Sequence, residues 1–299
     1  MNSFLAQRSP LGRHHQRGLS LIELMVALVL GLLVVGAAFA IFHSNQMTYQ
    51  SNQGLARMQE NARVAFELVS QDIRGAGGNS CSKYAQVGID DTSEEAELIR
   101  DTYVSGDATR MRLVGGDNVA YRVVSAASNS ITLDEDDLPA SGNVFDDGDV
   151  LLLCNPGRTF VVEVSGDVTG ATVTFTPSLP AGVTLTGSPA APTTAMIARM
   201  RDVEWFVEAN GRGGALGNSL YVSRNGGDRE EVAEGVQDIT IGYLHSGAAD
   251  YVAAALPRPA EVVAVRVTMT LRGQDVDGAQ LTRQTSNVVS LRKGSLNPS

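Results

Sequence analysis

Nineteen consecutive residues without a polar side chain, Leu24 to Phe42, follow directly on a single carboxylate, Glu23. As a helix, and slightly extended by Leu19, Leu21 and Ile22, this run covers about 30 Å, enough to cross the hydrocarbon core of a bilayer. Gly31 and Gly36 lower helix propensity, but no proline occurs between Pro10 and Pro139, so nothing stops the helix sterically. An ionised acid at the lip of a span is costly, about 2.5–3.5 kcal/mol or more at the bilayer centre, so it is usually kept for a use and needs a named partner. Arg8, Arg13 and Arg17 precede the span with no acid among them. The positive-inside tendency keeps that end cytoplasmic and exports everything after Phe42.

Three readings compete for this segment. An ordinary secretory signal would use Ala38-Phe39-Ala40 as its small-x-small cleavage site. Signal h-regions, however, run about 7–15 residues, carry no internal Glu and do not continue into a long helix. The second reading is a plain single-span anchor left uncut. The third is a leader cut after Gly18, with the span retained as the start of the mature chain.

The stretch Gly18-Leu19-Ser20-Leu21-Ile22-Glu23-Leu24-Met25-Val26-Ala27 resembles the processing and methylation signal of type IV pilins and pseudopilins. In that motif the glycine, the glutamate five residues later and the apolar run coincide. The resemblance implies that a membrane prepilin peptidase cuts after Gly18 and that the new first residue, Leu19, is N-methylated. It implies further that Glu23 pairs with the N-terminus of a neighbouring subunit during assembly. Leu19 stands where phenylalanine is usual, and the leader is longer than the short leaders common among major pilins.

From Leu55 to Arg74 the apolar positions Leu55, Met58, Ala62, Ala65, Phe66, Val69 and Ile73 have helical spacing and one buried stripe. Arg57, Glu60, Arg63, Glu67, Gln71 and Asp72 take the other faces. One helix from about Leu21 to Arg74, ended by Gly75, Gly77 and Gly78, joins the two pieces. Gln59 to Ala65, then Asp72-Ile73-Arg74-Gly75-Ala76-Gly77, then Cys81, are similar to the PilW family of minor pilins, in which such a helix ending and glycine-rich exit precede a cysteine.

Roughly 250 residues follow the span, enough for one large domain or two small ones. The chain carries 23 basic side chains, three of them the leader's arginines, against 33 acidic ones. So acidic a surface disfavours nonspecific nucleic-acid binding and suits the solubility of an exported domain. In such a domain Cys81 and Cys154 are a candidate disulfide. It would close a loop of about 70 residues, for which chain entropy gives roughly 4 kcal/mol as an upper figure.

Beyond Cys81 the pattern turns to strands, rich in Val, Ile, Thr and aromatics and punctuated by Gly, Asn, Asp and Pro. The expected strands are Thr109–Val114, Val119–Ser125, Ser130–Leu133, Val150–Cys154, Thr159–Val164, Ala171–Phe175, Met196–Glu208, Ser219–Arg224, Val236–Leu244, Val262–Leu271 and Ser286–Leu291. The fold class is α+β: a long N-terminal helix, transmembrane then amphipathic, followed by a β-rich head. The organisation expected is a leader (1–18), the transmembrane half of the helix (19–42), its amphipathic half (43–75), a first β-rich lobe (76–175), a low-complexity loop or linker (176–194) and a second β-rich lobe (195–299).

Residues for catalysis are scarce. His14 and His15 fall in the leader, His43 sits at the membrane edge, and His245 alone remains in the head. No CxxC, HExxH, Walker A or GxSxG pattern occurs. Two acid clusters, Asp134-Glu135-Asp136-Asp137 and Asp146-Asp147-Gly148-Asp149, match no EF-hand and read as solvated loops in preference to calcium sites. No catalytic residue, metal site or cofactor is expected.

The resemblance therefore implies a minor pilin of a type IV pilus, acting in assembly or priming from the inner membrane, with the head in the periplasm and a place at the filament tip. The implied partners are other minor pilins, the major pilin, prepilin peptidase and the inner-membrane assembly platform, with no direct nucleic-acid contact. The rivals are a J-type pseudopilin of type II secretion, which shares the anchor and a β-rich head, and a membrane-tethered adhesion or binding module.

Overall fold

In the computed structural model, which describes residues 20–292 except 83, 141, 167, 169, 189–190, 193, 256–260 and 274–279, helix α1 runs unbroken over Leu21–Gly75. Up to Asn52 it forms a unit of its own, with its large apolar side chains exposed. It is long and apolar enough to cross a membrane. From Gln53 the chain is a second unit, into which α1 sends the expected stripe: Met58, Ala62, Ala65, Phe66, Val69 and Ile73 are buried, with Leu55 packed beside them. One position departs from the spacing. Asp72, expected on an outer face, is buried at 7% exposure.

The second unit contains β1 (Gln86–Val87), α2 (Glu94–Asp101), β2 (Val104–Gly106), β3 (Arg110–Ala126), β4 (Ser130–Leu133), β5 (Val150–Cys154), β6 (Arg158–Val164) and β7 (Thr172–Thr176). Then follow β8 (Gly187–Ser188), β9 (Ala191–Pro192), β10 (Ala195–Ala209), β11 (Asn218–Arg224), β12 (Glu230–Glu234), β13 (Val236–His245), β14 (Val262–Arg272) and β15 (Thr282–Ser290). A helix followed by a β-rich domain is thus the architecture, as the sequence indicates.

Two long strands organise it. The first half of β10 pairs with β3 on one side and β5 on the other, and the ladder continues through β6, β7 and β4 back to β3. The hydrogen bonding returns to its starting strand, so these strands close a small barrel without free edges. Its interior is filled by alternate residues, among them Ile131, Leu151, Leu153, Val162, Phe175 and Ile197. Leu185, within the 176–194 stretch, is buried in that same interior.

The other faces of β5 and β6 are also covered. Leu152 and Val161 pack with Val114 and Met200 against Ala96 and Ile99 of α2. Burial on both faces is why Val150 to Cys154 reads as a continuous apolar run and not an alternating one. Ser93 caps α2 by accepting from the Ala96 N–H, and Glu94, Glu95 and Glu97 complement the helix N-terminus.

The remaining lengths of β3 and β10 leave the barrel and, with β2, β11 and β12, form the wall on which α1 packs. Met111, Leu113, Val203, Trp205, Leu220 and Val222 meet the stripe of α1 there. A separate three-stranded sheet, β13-β14-β15, completes this core with Val265, Val267, Met269 and Leu271, the inward set of an alternating strand. Strands from either side of 176–194 therefore share one sheet, and the two cores are joined through β3 and β10.

Candidate functional site at the two ends of the N-terminal helix

Ser20 begins the helix. Its Oγ accepts the Glu23 backbone N–H at 3.2 Å and its carbonyl accepts the Leu24 N–H at 3.2 Å. Ser20-Leu21-Ile22-Glu23 thus has the Ser-x-x-Glu spacing of a capping box, with Glu23 in the first turn, where a carboxylate suits the positive helix end. The Glu23 side chain is exposed, and no hydrogen bond or ion pair reaches its carboxylate among the described residues. Gly18 and Leu19, the expected processing site, lie outside the described residues.

Beside Glu23, Leu24, Ala27, Leu28, Gly31, Leu32 and Val35 line a shallow apolar groove along one side of the helix. A Cβ built at Gly31 would meet nothing within 4 Å, so the notch is open. Small residues one turn apart, here Ala27 and Gly31, let a second helix approach closely in an apolar medium.

At its other end α1 is fixed to the head by three devices. Asp72 Oδ1 pairs with Arg201 at 2.7 Å, and Asp72 Oδ2 accepts the Trp205 Nε1–H at 2.9 Å. Burial pushes the Asp72 carboxyl above its usual range, outweighing the Arg201 charge and the indole hydrogen bond. Next, the glycine-rich exit crosses β3 at backbone distance: the Gly77 N–H donates to Val114 O at 2.7 Å and the Gly116 N–H to Gly78 O at 2.9 Å. Gly77 takes φ 67°, and a Cβ at Gly115 would stand 2.4 Å from Gly75 O. Finally, Cys81 and Cys154 form a disulfide with a Cα–Cα separation of 5.9 Å, tying this exit to the end of β5.

Other sequence candidates have local roles. Asp134 caps the turn at Asp136 and pairs with Arg122 at 2.8 Å. Asp149 accepts the Asp146 N–H and pairs with Arg199, while Asp147 accepts the Gly166 N–H. Their carboxylates brace turns, and among the described residues no His, Cys, Asp and Glu group is placed to hold a metal ion. His245 Nε2 lies 3.0 Å from Ala255 O, a structural hydrogen bond. Sequence reasoning missed Ser20, although the Ser-x-x-Glu spacing was available. It also missed the Asp72–Arg201–Trp205 cluster, which spans 133 residues and has no local signal.

Residues 13–39 match the family model described as the prokaryotic N-terminal methylation motif. The match contains Gly18, Leu19, Glu23 and most of the apolar run, and makes the N-terminal segment type IV prepilin-like. No curated protein and no solved structure matches the chain.

Proposed function

We propose that the chain is a minor pilin of a type IV pilus, of the PilW kind, acting in assembly or priming as a structural subunit and not as an enzyme. The observation that carries this reading is the coincidence of the methylation-motif match with a Glu23 carboxylate that has no partner among the described residues, in the first turn of an apolar helix. Prepilin peptidase removes residues 1–18, and N-methylation follows at Leu19. Ser20 becomes the second residue of the mature chain, so the cap at the helix start survives processing.

Assembly then follows from electrostatics in a medium of low dielectric. An α-amino group and a carboxylate are each unfavourable there when unpaired, and contact between the amine of one subunit and Glu23 of its neighbour offsets part of both penalties. Only one axial offset brings them together, so the pair sets register while the groove at Ala27 and Gly31 seats the neighbouring helix. The second half of α1 carries the head. The PilW likeness rests on Gln59 to Ala65, Asp72 to Gly77 and Cys81, and of these Asp72, the glycine exit and Cys81 take part in attaching the helix to the head. The head lies in the periplasm, and its partners are the other minor pilins, the major pilin and the inner-membrane assembly platform. Its size suits a low-copy position at the tip.

The test is the N-terminus of the membrane form. N-terminal sequencing that starts at methylated Leu19 supports the proposal. A start at Ile41 identifies a secreted protein, and a start at Met1 an uncut anchor. Deletion that abolishes twitching and leaves secretion intact separates the pilus from a type II secretion pseudopilus.

A further inference from the structure

A groove of about 610 Å³ opens between the second half of α1 and β15. On the helix its lining includes Arg63, Glu67 and Arg74, which share one side at intervals of four and seven residues. From the strand come Arg283, Thr285 and Asn287, the alternate residues of one face. Farther along that face Val289 is buried in the core, so β15 changes from apolar to polar where the groove begins. The groove exists because polar side chains occupy positions that would otherwise close the sheet onto the helix.

Its charge is out of keeping with the rest of the molecule. The chain carries a net −10, and many arginines elsewhere on the head are ion-paired, Arg110, Arg112, Arg199 and Arg212 among them. Arg63, Arg74 and Arg283 are exposed and make no hydrogen bond or ion pair among the described residues. Three guanidinium groups without a partner among the described residues therefore line one groove, with a single glutamate among its described lining residues. Alongside them runs an open strand edge. Among the described strands β15 pairs with β14 alone, leaving its other side without a ladder.

We propose that this groove receives an extended, carboxylate-rich segment of a partner protein, which adds as a fourth strand beside β15 and places its acidic side chains on Arg63, Arg74 and Arg283. Strand addition supplies main-chain hydrogen bonds, and the arginines select acidic side chains through charge-assisted, bidentate contacts. A nucleic acid is the less favoured occupant, because it has no peptide backbone to pair with the open edge of β15. The inference rests on the reading of the chain as a subunit that docks to others, and it adds where on the head one partner binds.

The experiment uses the full-length chain in detergent and a fluorescent nine-residue peptide of alternating Glu and Thr, with an alternating Lys and Thr peptide and a single-stranded oligonucleotide as comparators. Anisotropy should show binding of the acidic peptide that weakens at least tenfold in Arg63→Glu/Arg283→Glu and weakens in high salt. Hydrogen exchange should slow within Thr282–Ser290. Arg63→Gln/Arg283→Gln should give an intermediate loss, and an unchanged melting temperature in both variants verifies that they fold. Absence of binding at low salt, binding indifferent to the substitutions, protection away from β15, or tighter binding of either comparator overturns the proposal. No filament enters this assay, so its failure is distinct from a failure of leader processing or of Glu23 pairing.

Discussion

The indole N–H of Trp205 donates to Asp72 Oδ2 across 2.9 Å and joins the middle of β10 to the last turn of α1. Trp205 is fully buried, so this bond has no water to replace it, and Asp72 Oδ1 simultaneously holds Arg201. Asp72→Ala strands both donors and should destabilise the head by about 2–3 kcal/mol. Asp72→Asn keeps an acceptor for the indole and should cost about half as much. Urea unfolding of the two variants measures the difference, and equal losses would mean that the charge, not the indole bond, matters.

The same carboxyl gives stability a pH dependence of known sign. The folded protein holds the Asp72 proton more tightly than the unfolded chain does, because burial raises the group above its ordinary value of 3.8. Its contribution is therefore greatest below that value and is lost as pH rises through the raised one. Glu231, held below the usual carboxylate range by Arg212 and Ser219, acts in the opposite sense: its contribution is complete above the ordinary value and is lost as pH falls through the lowered one. The stability of wild type relative to Asp72→Asn should decline as pH rises above the ordinary Asp value of 3.8, whereas that relative to Glu231→Gln should decline as pH falls below the ordinary Glu value of 4.5. Unfolding midpoints across pH check both slopes.

Cys81 and Cys154 are 73 residues apart, and their bond shortens the loops open to the unfolded chain. Cys81→Ser/Cys154→Ser should lose about 2–4 kcal/mol, a fall visible as a lower melting temperature. Reductant should lower the wild-type melting temperature comparably and leave the double variant unchanged.

Gly115 sits where β3 passes under the end of α1, and a methyl group there would meet the Gly75 carbonyl oxygen at 2.4 Å. Backbone must move to accept it, so Gly115→Ala should destabilise by about 1–3 kcal/mol. Gly31→Ala, with open space around it in a helix interior, should not destabilise the isolated chain and should favour the helix by up to about 1 kcal/mol. Thermal melts of the two variants provide the comparison.

The sequence pattern discloses α1, its buried stripe and most strands, because amphipathic spacing and alternation follow directly from burial of one face. The bounds of Ser130–Leu133 and Val150–Cys154 agree residue for residue with β4 and β5. Where the reading fails, the cause is tertiary. Gly115-Gly116-Asp117-Asn118 has the composition of a turn, which splits Thr109–Val114 from Val119–Ser125. In the fold the absent side chains admit the backbone of α1's exit, and β3 continues through as one strand. Helix α2 is only eight residues long and largely acidic, too short for periodicity to reveal. At the N-terminus, Glu23 is conspicuous as the acid ahead of an apolar run. The groove arginines are not, since an isolated Arg63 or Arg283 reads as ordinary solvated charge until β15 is brought beside α1.

The most direct test of the account is the behaviour of Glu23→Gln, which removes the charge while preserving the shape of the side chain. The variant should insert in the membrane and lose residues 1–18 as wild type does, yet be depleted at least tenfold from sheared filaments relative to the membrane fraction. Wild-type incorporation of processed Glu23→Gln into filaments would contradict the pairing of Glu23 with a neighbouring N-terminus.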